Sequence, residues 1–119
     1  MTELVVPARL AGGIAQTKYN FHKDGSTFLK RLRNVLGVSG KVSSNKAGDA
    51  VYGDVRLRTE AFEVVLLADD YADHAVAVKI LYRKILTSGI TEGTGPNQWT
   101  TLKEVEADPI AFLSKIRSL

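Results

Sequence analysis

The side chains in this sequence best suited to chemistry are cations spaced alongside an aromatic ring. Val51 to Thr59 alternates, with Tyr52, Asp54, Arg56 and Arg58 on one face and Val51, Val55 and Leu57 on the other. Where residues 75–86 are read as a strand, Lys79 and Arg83 join the first face. An open sheet that carries arginines and an aromatic suits single-stranded nucleic acid: the cations follow phosphates and the ring stacks a base. Lys30, Arg31 and Arg33 on a preceding helix, with Lys41 and Lys46 in the polar stretch after it, extend the basic track. Asp54 and Glu63 share that face and oppose this reading, because carboxylates pair with arginines on neighbouring strands.

Catalytic constellations are sparse. His22 with Asp24 offers an acid–base couple, a carboxylate orienting an imidazole; a surface histidine at a strand end is the favoured account. His74 stands near Asp69, Asp70 and Asp73, a donor set suited to a divalent cation. The spacing matches no metal loop, and a solvated turn carries the same residues. None of the seven serines lies in a Gly-x-Ser-x-Gly elbow. Neither Gly-x-x-x-x-Gly-Lys-Ser/Thr nor Gly-x-Gly-x-x-Gly occurs, and Gly25-Ser26-Thr27 reads as helix capping before it reads as an anion cradle. With no cysteine, a disulfide scaffold, a thiolate zinc site, an iron–sulfur cluster and a cysteine nucleophile are excluded from these residues. No catalytic residue, metal site or cofactor is assigned, and a non-enzymatic role is expected.

These residues need elements to hold them. Ile14 to Phe21 alternates and predicts a strand, with Leu4 to Val6 as a short strand before it, ended by Pro7. Asp24-Gly25-Ser26 offers helix caps, and Phe28, Leu29, Leu32, Val35 and Leu36 form one helical face up to Gly37, placed for a left-handed C-cap. Lys41 to Lys46 suggests a short edge strand. Val51 to Thr59 and Ala61 to Ala68 follow as a hairpin, with Phe62, Val64 and Leu66 inward and Val65 and Leu67 on the other face. Residues 70–86 fit a strand or a helix, and their β-branched content favours the strand, with Asp69 to His74 as a hairpin loop. Thr87 to Thr101 reads as a loop ending in Trp99. Asp108-Pro109 opens a last helix bearing Phe112, Leu113, Ile116 and Leu119. The order β-α-β-β-β-α predicts an α+β single domain over residues 1–119: a mainly antiparallel sheet of four to five strands with two packed helices.

Composition agrees with a globular chain, 45% hydrophobic and 24% charged. The net charge of +3 conceals a split. Residues 1–58 carry ten Lys/Arg against four Asp/Glu, and residues 59–119 carry six against nine. Such halves suit an anionic partner or self-association. No apolar stretch approaches the roughly 20 residues of a membrane span, and Met1 to Pro7 carries an acid where a secretory signal would be basic. A soluble cytoplasmic protein with no membrane partner is expected. Two functions stand: a small binding module that holds nucleic acid through its basic sheet face and helix, or a homodimeric module that binds protein or a small ligand. In the second, Val65, Leu67, Tyr82 and Trp99 line the interface or pocket floor.

Overall fold

A computed structural model of the chain describes residues 4–15, 17–46, 53–72, 75–88 and 91–119. A 3₁₀ turn (Ala8–Gly13) leads into β1 (Ile14–Ala15) and α1 (Lys18–Leu36). There follow β2 (Lys41–Asn45), β3 (Asp54–Arg58), β4 (Phe62–Ala72), β5 (Ala75–Ser88), β6 (Thr91–Thr94) and β7 (Gln98–Thr100). Two helices close the chain, α2 (Leu102–Ala107) and α3 (Pro109–Arg117). Every pairing is antiparallel, in the order β1-β5-β4-β3-β2, with β6 and β7 also paired to β5. The class is α+β, and the strand reading of residues 75–86 holds.

The sheet has one covered face. Val55, Leu57, Val64, Leu66, Ile80 and Tyr82 point to a buried cluster shared with Phe21, Phe28 and Leu32 of α1 and with the apolar residues of α2 and α3. Phe112 meets Tyr82 edge-on, with ring centroids 5.0 Å apart. The molecule is only 20 Å through its thinnest axis, room for one helical layer on one sheet.

Several elements depart from the sequence reading. The strand expected over Ile14 to Phe21 stops at Ala15, and the helix expected from Asp24 begins at Lys18. Thr17 is the cap, its hydroxyl accepting from the Asn20 amide at 3.0 Å. Alternation in Thr17, Tyr19 and Phe21 imitates a strand, but Phe21 also lies four and seven positions before Gly25 and Phe28, on the helical stripe. Asp24-Gly25-Ser26 therefore sits inside α1. Gly25 is kept by tertiary contact: a Cβ there would lie 3.1 Å from Leu66 Cδ1 and 3.3 Å from Val55 Cγ2, where the helix crosses the sheet. Gly37 does cap the helix at φ 66°, and the Gly37 and Val38 amides close on Asn34 and Arg33 in a Schellman turn. Leu4 to Val6 is not a strand. The hairpin loop shrinks, since β4 runs on to Ala72, and residues 73–74 lie outside the described set. Residues 87–101 hold the end of β5, then β6 and β7, in place of one loop, and α2 precedes the expected last helix. Asp108 caps that last helix as expected, accepting from the Ala111 amide at 3.0 Å.

Gly25→Val is expected to lower stability by about 1–3 kcal/mol in urea unfolding, the cost of overpacking a filled helix–sheet gap. Stability equal to that of the unmodified protein would show that the gap has slack.

Candidate functional site

The second face of the sheet carries the predicted cations. Register places Lys41, Arg58, Glu63 and Arg83 across it in one row. Ser43, Arg56, Val65, Leu81 and Trp99 make the next, and Asn45, Asp54, Leu67 and Lys79 the third. Val65 and Leu81 are 1% and 5% exposed, yet stand outside the main cluster, to which the buried apolar residues of all three helices belong. Their neighbours in and beside these rows are long charged side chains, of a kind whose stems can lie along apolar surface while the heads reach water.

Glu63 organises those heads. Its carboxylate is 1% exposed. Arg83 Nε donates to its Oε1 at 2.5 Å, and Arg56 Nη1 approaches its Oε2 at 3.4 Å. Arg56 Nε donates to Asp54 Oδ1 at 3.2 Å, and Arg83 Nη1 to Asn97 Oδ1 at 3.1 Å. Arg58 pairs with Glu92 of β6. The opposition read from sequence is thus realised: Asp54 and Glu63 bind the arginines of their own face. What remains is orientation. Each of Arg56 and Arg83 has two nitrogens engaged and its Nη2 still able to donate outward.

Two large apolar side chains of this face stand in water among the described residues: Ile14, 44% exposed at the β1 edge, and Trp99, 55% exposed, with the Lys79 ammonium 5.8 Å from its ring centroid. Beside it an open depression of about 430 Å³ is lined by Lys79, Trp99, Thr100, Thr101 and Glu104. Thr100 Oγ1 donates to Glu104 Oε2 at 2.8 Å. Sequence reasoning gave no role to Thr100, Thr101 or Glu104, because they lay in and after a presumed loop; the Thr101-x-x-Glu104 capping spacing was the available signal. A second depression, about 470 Å³, opens beside Val6, Gly13, Val78 and Leu102, with no aromatic ring among its described walls.

The structure does not bring all the predicted residues together. Lys30, Arg31 and Arg33 ride on α1, which covers the other face, so they form no continuous track with Arg56 and Arg58. Arg31 donates to the Val5 carbonyl at 3.0 Å and Arg33 to the Gly40 carbonyl at 3.2 Å, fastening chain segments on either side of the helix. Tyr82 is buried under α3, on the opposite side of the sheet from Trp99. Tyr52 lies outside the described residues.

The histidine couple comes apart. Two residues apart on a strand share a face, whereas on a helix they stand about 200° apart. His22 is buried and shares a hydrogen bond with Ser44 Oγ at 2.6 Å. Asp24 turns instead to Arg9, whose Nη2 donates to its Oδ1 at 2.9 Å, while Oδ2 is buried without a hydrogen-bond partner. Among the described residues, no three acids or histidines converge as a metal centre requires; Asp73 and His74 lie outside that set. Among them, too, no helix is long and apolar enough to cross a membrane.

Compared with models of known protein families, with curated proteins and with solved structures, the chain matches none.

Glu63→Ala is expected to lower stability by about 1–3 kcal/mol, less than a fully enclosed pair costs, because both arginines keep some water. Glu63→Gln, which keeps the acceptor, should lose less. A loss in Glu63→Ala within the scatter of urea unfolding would mean that the arginines find other partners at no cost.

Proposed function

We propose that this protein is a non-catalytic module that binds single-stranded nucleic acid on the open face of its sheet. The observation that carries the reading is Trp99: a ring more than half exposed, on the sheet face away from the helices, with an ammonium beside it. An aromatic platform of this kind stacks a base for about 1–3 kcal/mol, whichever base it is. Charge supports it. Lys41, Arg56, Arg58, Lys79 and Arg83 outnumber Asp54, Glu63, Glu92 and Glu104, for a net +1 among these residues of the face and its rim. Arginines already oriented by a buried carboxylate lose less side-chain freedom when a phosphate arrives.

The same face suits a homodimer less well. Ile14 and Trp99 are exposed and Leu67 is half-buried, but Val65 and Leu81 are already buried, so among the described residues the apolar area that stacking two copies removes from water comes from three side chains. A stable interface takes about 800 Å² from each partner.

Fluorescence anisotropy of a labelled 20-nucleotide strand is expected to report binding that weakens with salt. The logarithm of affinity should fall against the logarithm of salt concentration with a slope of about −2, from roughly three phosphate contacts on a single strand. Arg56→Ala and Lys79→Ala should each flatten that slope. Negligible binding at low salt, with a dimer in light scattering that Leu67→Arg dissociates, would replace this reading with the dimeric one.

A further inference from the structure

The depression beside Trp99 has the parts to distinguish one base from the others. Its size, about 430 Å³, falls within the usual range for ligand sites. Trp99 and Lys79 line it from the outer face of the sheet, and Thr100, Thr101 and Glu104 line it at the β7 edge. The Glu104 carboxylate accepts one hydrogen bond, from Thr100 at 2.8 Å, which anchors Oε2 and leaves acceptor positions on both oxygens.

We infer that this depression is a guanine subsite, resting on the nucleic-acid reading above. The chemistry of the base edges selects it. A carboxylate offers two adjacent acceptors and no donor. Guanine presents two adjacent donors on its Watson–Crick edge, the ring N1–H and the exocyclic amine. Adenine and cytosine place an acceptor beside their amine, and uracil and thymine flank a single N–H with two carbonyls, so each of these sets lone pairs against the carboxylate. The base stacks on Trp99, as unpaired bases do on exposed aromatics. Its edge meets Glu104, and Lys79 receives the attached phosphate.

Trp99 is the chain's only tryptophan, so intrinsic fluorescence reports on this position alone. Titration with the four 5′-mononucleotides is expected to give saturable quenching by GMP at a concentration roughly tenfold lower than for the others, the discrimination of one bidentate contact. Guanosine should bind several-fold more weakly than GMP, and Lys79→Ala should remove that difference. Glu104 is exposed, so Glu104→Gln is expected to fold normally, retain quenching and lose the preference for GMP. In anisotropy, a labelled thymidine 12-mer should bind more tightly once two central positions are replaced by guanine. Equal quenching by all four nucleotides, or a preference that survives Glu104→Gln, overturns the guanine subsite; the nucleic-acid reading stands if the thymidine strand still binds. Strand binding that leaves Trp99 fluorescence unchanged likewise overturns the subsite alone. No binding of either strand at low salt overturns both.

Discussion

One constraint shapes the rest of this structure: a sheet with helices on a single side must finish its other side from its own side chains. The three helices place their buried residues in the cluster on the inner face, and none is left for Val65 and Leu81. The outer face carries long amphipathic chains around that apolar centre, with stems suited to shielding it. Bringing arginines together over a sheet creates repulsion, and Glu63 removes it, at the cost of burying a carboxylate. The charge network and the exposed ring at its margin are thus consequences of one-sided cover. The same arrangement leaves guanidinium groups that are held in place and still hold unused donors.

The meander from β2 to β5 was legible in the sequence because alternation is a local property, visible wherever Val, Ile and Leu take every second position. The ends of α1 and α3 were less evenly legible. Gly37 and Asp108-Pro109 act through backbone geometry that their own types dictate, so they marked boundaries correctly. Asp24 and Gly25 have the composition of a helix start, yet a salt bridge from Arg9 and the closeness of Leu66 make them an interior turn. Those causes lie 15 and 41 positions away along the chain. Candidate site residues divided in the same way. Arg56, Arg58, Lys79 and Arg83 were placed on one face by period alone. The separation of Tyr82 from Trp99, and of the α1 cations from the strand cations, depended on which face the helices cover, and alternation is silent on that.

The split between a basic first half and an acidic second half acquires a simple meaning. Arg56 reaches Glu63, and Arg58 reaches Glu92, so cations of the first half are matched by acids of the second inside one chain. This complementarity holds β3 to β4 and to the β5–β6 hairpin. What lies outside this matching is a modest positive excess and one aromatic ring.

β5 has a consequence for how the chain comes into being. It is the one strand that pairs with β1, β4, β6 and β7. Ile14 finds its partner at Ala77, 63 positions later. At synthesis rates of about 5–20 residues per second, the gap between them is roughly 3–13 s of elongation. Closing so long a loop gains nothing until β5 has emerged, and pairings of this separation slow folding. For that interval the nascent chain carries the apolar stripe of α1 ahead of much of the sheet that will cover it, which makes the ribosome exit region the place where this protein most needs protection from aggregation.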